Sequence, residues 1–256
     1  MKLRFLGSGT STGVPAIRCH CNVCTSSDVH DHRMRASVIV SSGHTNLLID
    51  CGPDFRQQIL NAGSPDLAAV LLTHNHYDHV GGIDDLRPYS FASSDGFPIY
   101  CQSDVESDIR TRMPYCFREH LYPGVPTFKF HQLSSYVPVR IGDIEVLPLR
   151  VNHGKIPILG FRVGNLAYIT DALTLPEETY TALQGVDTLV INALRHTPHY
   201  SHMTLNEALN AISRINPRIA YLTHIADSMG RHAEVSPTLP SGVFLAYDNL
   251  EIDIPN

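Results

Sequence analysis

Positive charge is scarce in this 256-residue sequence. Lys and Arg number 19 against 25 Asp and Glu, a net charge of −6 with the 15 His counted neutral. No broad basic face is offered to nucleic-acid phosphates, so an extended nucleic-acid partner is not expected. Long apolar runs are also missing, and none approaches the length of a membrane span. The opening Met1-Lys2-Leu3-Arg4-Phe5-Leu6 meets Gly7 and Ser8 before it could form a signal-peptide core, so a cytoplasmic protein without membrane association is expected. No low-complexity linker interrupts the chain, which reads as one domain over residues 1–256. Cysteines number only 6. Without a signal sequence they read as reduced thiols rather than as disulfides.

Three of those cysteines stand together in Cys19-His20-Cys21-Asn22-Val23-Cys24 and look like metal ligands, whereas Cys51, Cys101 and Cys116 are isolated and read as small buried residues. A denser cluster follows the apolar run Ala68–Thr73. There His74-Asn75-His76-Tyr77-Asp78-His79 sends four ligand-type side chains out of the end of a predicted buried strand. Imidazole and carboxylate suit borderline divalent metals such as zinc or manganese. His74 and His76 alternate on extended backbone and can reach one ion. Asp78 and His79 lie after the chain bends toward a helix expected to begin near Val80-Gly81-Gly82, and can serve a second ion. The spacing points to a dinuclear centre.

Periodicity and turn residues predict strands at Lys2–Leu6, Ala36–Val40, Asn46–Asp50, Ala68–Thr73, Pro98–Cys101, Ile141–Leu149, Ile158–Val163, Leu166–Thr170, Thr188–Asn192 and Ile219–Thr223. Helices are expected at Pro53–Ala62, Ser103–Arg112, Pro176–Leu183 and Leu205–Ile215. This alternation by itself supports only the α/β class. Met113–Lys129, rich in Pro, Tyr and Phe, is expected near the mouth of the active site. The glycine loop from Gly7 to Pro15 lacks dinucleotide-binding spacing. Its glycines let backbone pass close to a metal site, or present amides to a phosphate with Ser8 a substrate-binding candidate, or simply form a turn.

The pattern H-x-H-x-D-H resembles the signature of the metallo-β-lactamase superfamily. Later residues match in order: Asp50 resembles the family's structural aspartate, while His153, Asp171 and His224, each at the end of a predicted strand, match its later metal-binding motifs. The resemblance implies an αββα sandwich of two mixed sheets with outer helices and metals at one rim. It also implies that His74, His76 and His153 hold a first ion, that Asp78, His79 and His224 hold a second, and that Asp171 bridges them. A solvent-derived hydroxide shared by the ions would then be the nucleophile.

Within the superfamily, His202 resembles the extra histidine of the phosphodiesterases, able to stabilise the transition state or protonate the leaving alkoxide. A helix-entry histidine facing water is the alternative. Asp78 and His202 are thus the candidate catalytic residues, and Lys155 and Arg195 are candidate phosphate contacts. The C-x-C-x2-C cluster soon after Phe5-Leu6-Gly7-Ser8-Gly9 is similar to that of the phosphoribosyl cyclic phosphodiesterases of the carbon-phosphorus lyase pathway. There the cysteines form a structural zinc site completed by a histidine. The matching position here is Asp227, the first choice for fourth ligand ahead of His232 and His20. The implied function is hydrolysis of a small phosphodiester, 5-phosphoribosyl 1,2-cyclic phosphate being the most specific case, with two zinc or manganese ions and one structural zinc. A tRNase Z-like endoribonuclease, a thioester or lactam hydrolase, and a non-hydrolytic metal-binding or redox protein are the alternatives. A homodimer is left open.

Overall fold

The computed structural model describes residues 1–92, 95–120 and 122–255. The first sheet contains β1 (Lys2–Gly7), β2 (Ser37–Ser42), β3 (Thr45–Ile49), β4 (Ala69–Leu71), β5 (Phe97–Cys101) and β6 (Phe128–Gln132). The second contains β7 (Val139–Ile141), β8 (Ile144–His153), β9 (Ile156–Val163), β10 (Leu166–Ile169), β11 (Thr188–Asn192), β12 (Ile219–Thr223) and β13 (Val243–Leu245). The last strand, β14 (Glu251–Asp253), returns to the first sheet, giving the orders β14-β1-β2-β3-β4-β5-β6 and β13-β12-β11-β10-β9-β8-β7. Each sheet is antiparallel on one side and parallel on the other, with β3 to β6 and β10 to β13 parallel.

The period of two along each strand builds the layers. Leu3, Phe5, Val38, Val40, Leu47 and Ile49 face inward and pack with Val146, Leu159, Phe161, Tyr168 and Val190 of the second sheet. The opposite parity, Leu6, Ile39, Leu48, Val70 and Leu72, meets Phe55, Ile59, Val105 and Ile109 outside the first sheet. Outside the second sheet, Leu149, Val151, Ala167, Leu189 and Ile191 pack on the helix Leu205–Ile215 through Leu205, Ala208, Ala211, Ile212 and Ile215. That helix starts at a capping box between Thr204 and Glu207 and stops at Asn216, in the left-handed region at φ 55°. Burying each of its large apolar side chains contributes roughly 1.5–3 kcal/mol. Two sheets thus enclose a core between them and are covered by helices, the αββα sandwich expected. Among the described residues no helix is long and apolar enough to cross a membrane.

Three expectations need correction. The single strand over Ile141–Leu149 is a hairpin, because Gly142 turns at φ 58° and separates β7 from β8. The ligand segment enters its helical turn earlier than Val80, at Tyr77–Val80, so Asp78 and His79 lie within the turn. The aromatic segment expected at the mouth instead pads the outer face of the first sheet: Phe117 packs on Phe128 and Phe130, and Cys116 is buried. Residue 121 of that segment lies outside the described residues.

Candidate metal centre

Strand ends bring the ligand-type residues to one rim. Asp50 follows β3, residues His74 to His79 follow β4, His153 ends β8, Asp171 follows β10 and His224 follows β12. Parallel strands leave their carboxyl ends on the same side, which is where α/β folds place ligands. Asp50, Asp171 and His224 adopt positive φ of 63°, 59° and 55°. Each therefore turns the chain sharply at a strand end and aims its side chain back at the rim.

Asp50 organises the first half of the site from beneath. It is fully buried and accepts hydrogen bonds from the Thr73 amide (2.9 Å), the Thr73 hydroxyl (2.9 Å) and His79 Nδ1 (2.7 Å). Thr73 Oγ1 in turn accepts from His74 Nδ1 at 2.9 Å. Both histidines thereby keep a proton on Nδ1 and turn Nε2 to the rim. His153 is set in the same way, its Nδ1 donating to the carbonyls of Asp171 (2.7 Å) and Ser201 (3.0 Å). Close backbone packing holds the parts together. A Cβ on Gly52 would stand 2.0 Å from the Asp78 carbonyl oxygen, and Cys51 N–H donates to the His79 carbonyl at 2.8 Å.

Ligand atoms of His74, His76 and His153 lie within 4.8 Å of one another, as do those of Asp78, His79, Asp171 and His224. Asp171 reaches in two directions, with Oδ2 3.2 Å from His79 Nε2 and Oδ1 3.1 Å from His224 Nε2 and 2.9 Å from His202 Nε2. The Nε2 atoms of His74, His79 and His224 are nevertheless buried without a hydrogen-bond partner. Orphaned nitrogens converging on buried carboxylates are what a divalent cation satisfies, so the residues fit one.

Electrostatics point the same way. Burial works against charge on His79, but Asp171, Asp78 and Asp50 hold its pKa well above the ordinary histidine value. Burial likewise opposes His224, which Asp171 and Asp78 nonetheless hold at about 9. Asp171 resists its own burial and sits well below the usual carboxylate range because of His224, His79 and the hydrogen bond from His202. His74 goes the other way, pushed well below by burial and by His79. The carboxylates thus draw positive charge to one side of the centre, while His74 stays neutral with a free lone pair on the other.

A second cluster lies apart from the first. Sγ of Cys19, Cys21 and Cys24 lies 3.2, 3.4 and 3.8 Å from Asp227 Oδ2. Backbone amides of Ala16 and Cys24 point at the sulfurs of Cys24 and Cys21, each at 3.4 Å. His232 is occupied elsewhere, its Nδ1 3.3 Å from Arg33 Nη2 and its ring stacked on His30, and His20 is not in the cluster.

The profile described as beta-lactamase superfamily domain matches residues 45–225. This chain belongs to the metallo-β-lactamase superfamily. A Porphyromonas gingivalis protein named octanoyltransferase is 42% identical over 253 residues, covering 98% of this chain and 51% of its own, so the chain spans about half the length of that relative. A coenzyme PQQ synthesis protein B of Methylorubrum extorquens is 34% identical over 221 residues, covering 75% of this chain and 72% of its own. Among solved structures, a diphosphatase from the PhnP family superimposes with a TM-score of 0.92 at 36% identity, covering 99% of this chain and 98% of its own.

The other candidate residues of this superfamily member fare unequally. A cavity of about 600 Å³ borders His76 and His153 and is walled by Lys155, Ile156, Leu173 and Tyr200, which leaves Lys155 exposed beside the centre. Ser8 is not available to a substrate: it is fully buried, with Oγ bonded to Asp248 (2.8 Å) and Arg33 (2.9 Å). Arg195 spends its guanidinium on the carbonyls of Thr197 (3.1 Å) and Pro198 (2.9 Å), and so staples its own loop. His202 is buried rather than facing water. Sequence reasoning missed the participation of Thr73, Ser201 and His199, for which the one available signal was their position beside or three residues from a ligand-like histidine.

Proposed function

We propose that the protein is a dinuclear metal-dependent phosphodiesterase acting on a small diester. The observation that carries this reading is Asp171, whose oxygens lie 3.2 Å from His79 Nε2 and 3.1 Å from His224 Nε2 in one ligand group and which also clusters with His153 of the other, while His202 Nε2 stands 2.9 Å from Oδ1. His74, His76 and His153 would hold one zinc or manganese ion, Asp78, His79 and His224 the other, and Asp171 both. Ions held there would supply an activated water and neutralise charge on the phosphate oxygens. The chain's own residues do the remaining work. Asp50 and Thr73 keep His74 and His79 in their ligand tautomers, His202 protonates the leaving alkoxide, and Lys155 meets the substrate's negative charge at the cavity rim. Cys19, Cys21, Cys24 and Asp227 would bind a structural zinc, carboxylate being an accepted fourth ligand.

Similarity to a PhnP-family diphosphatase supports attack at phosphorus. 5-Phosphoribosyl 1,2-cyclic phosphate is the most specific substrate proposed. The octanoyltransferase name belongs to a chain about twice as long, so acyl transfer enters as a competing outcome. The test is a panel on manganese- and zinc-loaded protein: the cyclic phosphate, a chromogenic phosphodiester, a phosphomonoester, an octanoyl thioester and a β-lactam. Diester turnover is expected to exceed the rest. Turnover of the thioester without that of either diester would replace the phosphodiesterase reading.

A further inference from the structure

His202 is packed face-on by His224, with ring centroids 4.9 Å apart at 22°, and edge-on by His153, 4.7 Å apart at 76°. Such packing fixes the plane of an imidazole but not which edge enters the site, because its ring carbons and nitrogens are close in size. Hydrogen bonds make that choice. Nε2 faces Asp171 Oδ1 at 2.9 Å, and at the far end of the ring Nδ1 meets His199 Nδ1 at 3.0 Å and Ser201 Oγ at 3.0 Å.

Two imidazole nitrogens at that separation share a single proton, one donating and the other accepting. The Ser201 amide also points at His199 Nδ1, from 3.4 Å, which marks that nitrogen as the acceptor. His202 then donates from Nδ1 to His199, which turns its Nε2 edge toward Asp171 and the reaction centre. His199 is itself pinned. Its ring lies 4.3 Å from that of Tyr200, and Arg195 staples the preceding turn through Thr197 and Pro198.

We propose that His199 is a positioning residue that fixes the orientation and tautomer of His202. Its catalytic consequence rests on the phosphodiesterase reading. As the bond from phosphorus to the leaving oxygen breaks, the Nε2 proton of His202 passes to that oxygen. His202 becomes the neutral Nδ1–H tautomer, its bond to His199 survives unchanged, and solvent later returns a proton to Nε2. Without His199, Nδ1 keeps only the Ser201 hydroxyl, which can donate as well as accept, so neither the tautomer nor the ring orientation is fixed.

The test compares His199→Phe, which keeps bulk against Tyr200 but has no acceptor, with His199→Asn, whose oxygen can replace Nδ1. On an unactivated diester, His199→Phe is expected to lose about 10–10²-fold in kcat, with KM within about twofold and zinc content unchanged. His199→Asn should recover most of the loss, and His199→Phe should add nothing in a His202→Ala background. Nitrogen-15 spectra of the zinc-loaded protein supply a readout independent of turnover: His202 should carry its Nδ1 proton in wild type and His199→Asn, and lose that signature in His199→Phe. An unchanged His202 signal in His199→Phe, or an equal loss of kcat with and without His202, overturns the proposal. If wild type cleaves no diester, the phosphodiesterase reading fails, and the nitrogen spectra alone decide the role of His199.

Discussion

Asp171 and His202 share a hydrogen bond of 2.9 Å, but on the proposed reading their tasks are separable, one toward cations and one toward the leaving group. His202→Ala should therefore leave metal content and fold intact while turnover of an unactivated diester falls roughly 10²–10⁴-fold. With a p-nitrophenolate leaving group, which needs little protonation, the loss should shrink. Equal fractional losses on both substrates would make His202 a phosphate contact instead of an acid. At this scale the sequence was informative where chemistry and position coincide. Ligand-type residues at strand ends, His74 to His79, His153, Asp171 and His224, do come together. It misled at Ser8 and Arg195, whose availability depends on Asp248, Arg33 and loop carbonyls that spacing does not bring into view.

Between elements, the rim is set by backbone fitting against backbone. Gly52 follows β3 and touches the Asp78 carbonyl so closely that a methyl group there has no flexible side chain to displace. Gly52→Ala should push the ligand turn Tyr77–Val80 away from β3. Overpacking of this kind costs about 1–3 kcal/mol, read as a lower Tm. Elemental analysis should also show less metal at the His/Asp centre while the cysteine cluster keeps its own; full occupancy at both would mean that the turn shifts without harm. Left-handed backbone at Asp50, Asp171 and His224 adds strain of order 1–3 kcal/mol at each, offset at Asp50 by three hydrogen bonds. Most elements were legible because alternating and helical apolar patterns are local. The β7–β8 hairpin was overlooked although its signal is local too, since Gly142-Asp143 between Ile141 and Ile144 is a two-residue turn pair.

Across the whole molecule, the two candidate metal sites tie together different stretches of chain and should respond differently to chelation. The His/Asp centre opens onto the cavity at His76, whereas the thiolate cluster clamps residues 19–24 to Asp227, more than 200 positions away. Mild chelation is expected to remove ions from the His/Asp centre first, with activity lost before Tm falls; later loss of the cysteine-bound ion should lower Tm. Finding no ion at Cys19, Cys21 and Cys24 in freshly purified protein would refute the structural half. The pairing of β1 with β14, which sets Lys2 opposite Asp253, bears on how the protein is made. Synthesis runs in one direction, so β1 emerges well before β14 is there to pair its outer edge. Throughout that interval β1 offers unpaired amides and carbonyls to any neighbouring chain. A nascent chain interrupted before Glu251 would carry every ligand of the rim and still present an adhesive edge, making β14 the element that ends the aggregation-prone phase of its biogenesis.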